Sequence, residues 1–152
     1  LGTENISYIL SNTDSISDAI SKSDLVIGSV YVVGKEAPKV ITKDMLKVMK
    51  PGSVLVDISI DQGGCVETSR PTTHDDPVFI EDGVVHYCVT NMPGAVPLTA
   101  SLALNQATLP YIEKIANLGL SQALKEDLHL ANGLNMADGI VKHDSVSAAL
   151  NN

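Results

Sequence analysis

Three short apolar runs, rich in β-branched residues, are typical of strands buried in a parallel sheet. Each run ends in small or polar residues: Gly34 follows the first, Asp61 the second and Asn91 the third. The pattern therefore predicts three strands with polar groups at their carboxyl ends. They cover residues 24–31, 53–60 and 83–91.

Apolar residues at helical spacing lie between and before these strands and predict helices over residues 14–22 and 42–49. Thr42 is the predicted N-cap of the second helix. Strands that alternate with short helices imply parallel pairing and right-handed crossovers. The carboxyl ends then gather at one edge of the sheet. That edge is expected to carry Val30, Tyr31, Asp61 and Asn91 together.

The organisation changes after residue 94. A long helix is predicted after Pro97 and Thr99 and runs to about Ala116, with a kink or break near residues 105–109 because Pro110 removes a backbone donor. Gly119 ends this segment. These C-terminal pieces have little apolar core of their own, so we expect them to pack on something else. The further predicted elements are a helix over 120–126, a hairpin over 133–141 with an Asp-Gly turn, and a helix over 144–150.

The second strand run offers the clearest candidate chemistry. Ligands of open α/β sheets bind outside the carboxyl ends of the strands, and Asp61 lies there, separated from the glycine pair Gly63-Gly64 by one residue. The two glycines allow a turn that other residues resist, and allow close approach of a ligand. A second interpretation is that Asp61 only caps the next turn. The local pattern leaves both open.

Composition narrows the class of protein. The 152 residues are 44% hydrophobic and 18% charged, with a formal net charge of −8. Such a chain is globular, and its charge argues against non-specific nucleic-acid binding, which needs clustered cations. No apolar run is long enough for a transmembrane helix, and no Cys/His spacing predicts a metal site. Cys88 and His86 are predicted to be structural, whereas Cys65, beside the glycines, is either inert or reactive.

Five sequence motifs follow one another at residues 24–30, 49–57, 61–65, 69–74 and 91–97, among them Asp-Gln-Gly-Gly-Cys at 61–65 and Asn-Met-Pro-Gly-Ala-Val-Pro at 91–97. In this order they resemble the motifs of alanine dehydrogenases, and the resemblance extends over essentially the whole chain. Transhydrogenase nucleotide-binding components are the alternative, because they share the Met-Lys-Pro-Gly strand, but the motifs after residue 60 favour alanine dehydrogenase.

The resemblance implies an α/β fold: residues 1–98 form the second half of an NAD-binding Rossmann domain, with a parallel sheet. Residues 99–152 form a helical C-terminal segment that returns to a catalytic domain. The family's Gly-x-Gly-x-x-Gly turn does not occur in these 152 residues, so we expect the C-terminal part of a longer enzyme. The sequence departs from the family pattern at residues 31–36.

The family's functional residues are carried over by position. Asp61 matches the catalytic aspartate, and Asn91 offers an amide suited to the nicotinamide carboxamide or the substrate. The implied NAD contacts are Ser11, Val30, Tyr31, Ile58, Ser59, Ile60, Asp61, Arg70, Val89, Thr90, Asn91 and Met92.

The implied reaction is the reversible, NAD-dependent oxidative deamination of L-alanine to pyruvate and ammonium. The resemblance also implies a homo-oligomer, commonly a hexamer, in the cytoplasm, with no membrane partner. A non-catalytic nucleotide-binding module is the competing class. Asp61 together with Asn91 favours an enzyme, although we expect the 152-residue chain alone to be inactive.

Overall fold

The computed structural model describes residues 5–151 and divides them into two compact units. The sheet unit comprises the described residues up to Val32 together with Glu36–Met92. The helical unit comprises Val33–Lys35 and the described residues from Pro93 onward. Every candidate site residue lies in the sheet unit. The expected domain boundary at residue 98 stays a prediction.

The sheet unit contains a four-stranded sheet in the order β1-β2-β4-β3. β1 pairs with β2 in parallel, and β2 pairs with β4 in parallel, which confirms the predicted α/β arrangement. Leu55 of β2 is fully buried between its partners Val26 and His86. The strands are β1 (Leu25–Gly28), β2 (Val54–Asp57), β3 (Val78–Glu81) and β4 (Val84–Tyr87).

The three predicted strands are each shorter in the structure than the apolar runs had indicated. β2 ends at Asp57, and the chain continues as the 3₁₀ helix Ile58–Gln62. The Asp57 side chain accepts a hydrogen bond from the Ser59 N–H and so turns the chain at that point. Asp61 therefore lies in this 3₁₀ helix rather than at the strand end. The β-branched run predicted a strand because local propensity carries no information on such a side-chain cap.

β3 was not predicted. It pairs antiparallel with β4 through a tight turn at Asp82 and Gly83, whose φ angles are 49° and 79°. Two consecutive left-handed residues are the geometry of a type I′ hairpin, for which Asp-Gly is a favoured sequence. The Asp-Gly signal was present in the sequence, between two apolar runs. Because β3 is antiparallel to β4, the sheet is mixed at this edge.

Helix α1 (Thr13–Lys22) confirms the first predicted helix, and Asn12 caps it by accepting from the Ser15 N–H. The second predicted helix is instead the 3₁₀ helix Asp44–Val48. Its N-cap is Lys43 rather than Thr42, although the Thr42 hydroxyl accepts from the Met45 N–H at 3.4 Å.

The core of the sheet unit lies between these helical segments and the sheet. Cys65 belongs to this core. His86 is also fully buried: its Nδ1 lies 3.0 Å from the Val84 carbonyl and its Nε2 lies 2.8 Å from the Thr68 hydroxyl. A histidine with both ring nitrogens satisfied in this way is structural, as predicted. The core includes Ile20, Ile41, Leu46, Leu55, Val66 and Val84.

The helical unit has one buried apolar side chain among its described residues, Ala123. Its first helix runs through Pro110 as one element, so the alternative of a break is wrong, whereas a kink at this point stays a prediction. Gly119 ends that helix, as predicted. No described helix is long and apolar enough to cross a membrane. The elements are α2 (Pro97–Leu118), α3 (Leu120–Glu126), α4 (Leu128–Asn132), β5 (Met136–Ala137), β6 (Ile140–Val141) and α5 (Asp144–Leu150).

The expected hairpin after residue 133 is confirmed as β5 and β6. Asp138 and Gly139 form its turn, with φ angles of 52° and 76°. The Asp-Gly signal was therefore correct here, as it is at the β3–β4 turn.

Candidate functional site

The candidate site lies where β2 and β4 end. The 3₁₀ helix Ile58–Gln62 brings Asp61 to the surface, and Gly63 ends the helix in the left-handed conformation with φ 87°. The Lys39 ammonium holds the turn from outside by donating to the carbonyls of Gly63 and Gly64. The turn thus presents an exposed carboxylate on a fixed backbone.

Asn91 follows β4 and lies next to Asp61. Its N–H donates to Asp61 Oδ2 at 3.4 Å, and its φ of 52° places it in the left-handed region. His74 Nε2 lies 3.1 Å from the Asn91 carbonyl oxygen, so the backbone is held on both sides. Within residues 5–151 the Asn91 side chain makes no hydrogen bond, which leaves its carboxamide available to a ligand. The expected juxtaposition of Asp61 and Asn91 is therefore present.

Val30 and Ser59 join the ends of β1 and β2. The buried Ser59 hydroxyl accepts from the Val30 N–H at 2.8 Å and donates to the Val30 carbonyl at 2.9 Å. The Ser59 backbone is engaged as well, because its N–H donates to Asp57 Oδ1 at 3.0 Å and its carbonyl accepts from the Gly64 N–H. Ser59 therefore joins the two loops and keeps no free donor for a nucleotide. Tyr31 follows directly and is 68% exposed.

Arg70 is held over an aromatic ring. Its guanidinium carbon lies 4.1 Å from the centroid of Phe79, which in turn stacks on the buried His86. A cation above a ring face is attracted by the ring quadrupole, so the contact orients the side chain. None of the ion pairs of the described residues includes Arg70. Its donors are therefore free for an anionic ligand.

The remaining predicted contacts divide by exposure. Ser11 is exposed just before α1, and Ile58 is 50% exposed. Ile60 and Val89 are buried, so only their backbone groups could meet a ligand. Thr90 and Met92 are half-buried. The structure joins Val30 with Ser59 and Asp61 with Asn91, whereas no described hydrogen bond joins Ser11 or Arg70 to either pair.

Two residues near the site were not predicted to belong to it. His74 was assigned no role, although it closes the motif at residues 69–74. Asp57 was taken as an interior strand residue, yet its carboxylate is fully buried at the end of β2. An acidic residue inside an apolar run was the available signal, because a carboxylate is almost never buried without partners.

Cys65 lies against this buried carboxylate. Its Sγ is 3.4 Å from Asp57 Oδ1, and burial together with that negative charge raises the pKa of the thiol. A raised pKa and a fully buried sulfur both suppress the thiolate, which is the reactive form. Burial likewise raises the pKa of Cys88. Of the two interpretations left open for Cys65, the structure favours the inert one.

A mostly parallel sheet with exposed polar groups at its carboxyl edge is the arrangement of a ligand-binding open α/β domain. Residues 1–144 match the family described as "Alanine dehydrogenase/PNT, C-terminal domain". The chain belongs to this family.

Named relatives agree with that assignment. The chain is 55% identical over 141 residues to an alanine dehydrogenase of Halomonas elongata, covering 93% of this chain and 38% of the relative. It is 52% identical over 145 residues to an alanine dehydrogenase of Staphylococcus haemolyticus, covering 95% and 39%. The chain thus spans less than two fifths of the length of these curated relatives.

Two solved structures are similar in fold. An L-alanine dehydrogenase superposes with a TM-score of 0.78 at 48% identity, covering 93% of this chain and 39% of that one. A transhydrogenase from Sinorhizobium meliloti superposes with a TM-score of 0.66 at 26% identity, covering 89% and 36%. The predicted resemblance to alanine dehydrogenase, covering part of a longer relative, is confirmed.

Proposed function

We propose that this chain is the nucleotide-binding part of an NAD-dependent alanine dehydrogenase, which converts L-alanine reversibly to pyruvate and ammonium. The observation that carries the proposal is the pairing of an exposed carboxylate, Asp61, with the available carboxamide of Asn91 at the carboxyl edge of the sheet. The names of the relatives supply the substrate.

The donor set at this edge fits a dinucleotide. The Val30 backbone is bonded to Ser59 and can contact a nucleotide mainly by packing. Hydrogen bonds to the sugar and phosphate groups can come from the exposed Tyr31, the exposed turn at Ile58 and the free guanidinium of Arg70. The Asn91 carboxamide can both donate to and accept from the nicotinamide carboxamide. When bound, NAD supplies the hydride acceptor, and the protein supplies orientation.

Asp61 is the group proposed to move protons. Its carboxylate is exposed and receives a single long contact from the Asn91 N–H, so it can accept a further hydrogen bond from an amine or a water molecule. Deamination requires a base that takes a proton from the amine and then one from the water that attacks the imine. The exposed carboxylate can pass the first proton to solvent, take the second from the water and return it to the departing amine.

A second candidate function is that of the nucleotide-binding component of a proton-translocating NAD(P) transhydrogenase. The transhydrogenase neighbour supports it through the fold. Its lower identity of 26%, against 48% for the L-alanine dehydrogenase, favours the first candidate. A non-catalytic nucleotide-binding module is the third possibility. From the family resemblance we further propose a cytoplasmic homo-oligomer, with a hexamer as the expected form.

Steady-state kinetics of the full-length protein separate these candidates. An alanine dehydrogenase forms NADH from NAD in proportion to added L-alanine, and consumes NADH with pyruvate and ammonium. A transhydrogenase component instead transfers hydride between NADH and an oxidised nucleotide without either substrate. Nucleotide binding without either reaction would support the non-catalytic module and refute the proposal.

A further inference from the structure

We propose that Asp57 is a positioning residue that holds both the turn carrying Asp61 and the neighbouring Val30 loop in their working arrangement. The proposal deepens the function proposed above and rests on it. Asp57 is fully buried, with 0% of its surface accessible to solvent. None of the ion pairs among the described residues includes it. A buried carboxylate without a cation is costly unless hydrogen bonds satisfy it.

Five donors satisfy this carboxylate. Oδ1 accepts from the Ser59 N–H at 3.0 Å and from the Cys65 thiol at 3.4 Å. Oδ2 accepts from the Cys65 N–H at 2.9 Å, the Val66 N–H at 3.1 Å and the Ser69 hydroxyl at 2.7 Å. Both oxygens are thus surrounded by donors, which suits a carboxylate and no other side chain of this size.

The two oxygens hold the two ends of one segment. Oδ1 fixes Ser59 at the start of the 3₁₀ helix, and Oδ2 fixes Cys65 and Val66 just beyond its end. Asp61 lies between these anchors. Because Ser59 in turn bridges to Val30, the same carboxylate also restrains the loop after β1.

The packing around the carboxylate shows how closely the segment is fitted to it. A Cβ at Gly64 would lie 2.8 Å from Asp57 Oδ2, and the residue has φ 74°. The glycine pair was predicted to allow close approach of a ligand. At Gly64 the group that approaches is the Asp57 carboxylate itself.

A simpler interpretation is that Asp57 only caps a helix, as Asp127 does in the helical unit. Asp127 accepts from the N–H groups of His129 and Leu130 and pairs with Lys114. Its backbone contacts reach three residues along the chain. Asp57 reaches Ser69, twelve residues along, and uses both oxygens. It therefore joins segments that a cap does not.

Asp57→Asn tests the proposal because an amide nitrogen cannot accept a hydrogen bond. The better orientation keeps the oxygen at the Oδ2 position, with its three donors, and turns the NH₂ group against the Ser59 N–H. The turn then loses its first anchor, and Asp61 and the Val30 loop are released. A misplacement of about 1 Å can cost about 10²-fold in rate, so kcat should fall by about that factor while NADH affinity also falls.

The readout that separates positioning from stability is a double-variant cycle in the full-length protein. If Asp57 acts through Asp61, then Asp57→Asn lowers kcat much less in the Asp61→Asn background than in the wild type. Val84→Ala is the control for destabilisation, because Val84 is buried at the opposite end of β4. It should lower the melting temperature and leave kcat near normal.

The outcomes each decide the proposal. A loss of kcat by Asp57→Asn that disappears in the Asp61→Asn background supports it. Independent, multiplicative losses, or a lower melting temperature with normal kcat and NADH affinity, overturn it. If Asp57→Asn does not fold, Ser59→Ala removes only the link to Val30 and should weaken NADH binding about tenfold; unchanged binding then overturns the proposal.

NADH binding also keeps this test distinct from that of the proposed function. If the wild-type protein does not oxidise alanine, the proposed function fails. The positioning of the Val30 loop by Asp57 is still decided by the NADH affinities of the Asp57→Asn and Ser59→Ala variants.

Discussion

Asp61→Asn gives the sharpest contrast between a catalytic role and a structural one. The Asp61 carboxylate is exposed, and the one hydrogen bond it receives among the described residues, from the Asn91 N–H, is 3.4 Å long. That is longer than the usual range of about 2.7–3.2 Å. The bond should therefore contribute no more than the lower end of the typical net value, about 0.5 kcal/mol. An asparagine oxygen can also accept it, so the melting temperature should change little.

The kinetic effect should be much larger. Loss of a general acid/base typically lowers the rate by about 10²–10⁴-fold, which corresponds to about 3–5 kcal/mol of transition-state free energy. The assay is kcat for NADH formation by the full-length protein at saturating L-alanine and NAD, with NADH affinity measured separately. NADH affinity should stay near normal, because Val30, Arg70 and Asn91 are unchanged.

Asp75→Asn is the matched control, since Asp75 is exposed in the same unit and its side chain makes no described hydrogen bond or ion pair. It removes the same charge and should leave kcat unchanged. Near-normal kcat in Asp61→Asn, or an equal loss in Asp75→Asn, would refute the catalytic role. A lower melting temperature with normal turnover would show that Asp61 only caps its turn.

Four further predictions follow from the same structure. The 152-residue chain alone should show no alanine-dependent NADH formation and weak NAD binding by calorimetry, because it contains no Gly-x-Gly-x-x-Gly turn; turnover or micromolar binding would contradict this. Cys65 and Cys88 should react with a thiol reagent only on unfolding, because burial raises both pKa values; fast reaction of the native protein would contradict it. Gly28→Ala should destabilise by about 1–3 kcal/mol, because its Cβ would lie 2.5 Å from Cys65 Sγ, and Cys65→Ala should restore part of that loss in chemical denaturation. The hydrogen bond from Lys114 lowers the pKa of Asp127, so the stabilisation is present above the ordinary aspartate pKa and is lost as the pH falls through the lowered value. The melting temperature of Asp127→Asn should accordingly fall less on acidification than that of the wild type.

The parallel sheet was predictable because its signal is local. Short β-branched runs separated by helical periodicity leave few arrangements other than parallel strands. The Asp138-Gly139 turn was predictable for the same reason, since Asp-Gly between apolar residues favours one hairpin geometry.

The lengths of the strands were not predictable, because side chains far along the chain decide them. β2 ends at Asp57 because donors from Ser59 to Ser69 converge on its carboxylate. The helix continues through Pro110 for a related reason. Proline weakens a helix locally, and the surrounding turns can outweigh that cost.

Part of the site was visible in the sequence. Strand-end positions brought Asp61 and Asn91 together as expected. What the pattern could not show is which polar groups are already used within the protein. The Ser59 hydroxyl is committed to Val30, whereas the Asn91 carboxamide is available, and only the three-dimensional contacts separate these cases.

The central claim is that the nicotinamide of NAD binds beside Asp61 and Asn91 at the carboxyl edge of the sheet. A crystal structure of the full-length protein with NADH and pyruvate tests it most directly. We predict the nicotinamide carboxamide within hydrogen-bond distance of Asn91, and the substrate between the nicotinamide and the Asp61 carboxylate. A nicotinamide bound away from this edge, with Asp61 and Asn91 both facing only solvent, would contradict the account.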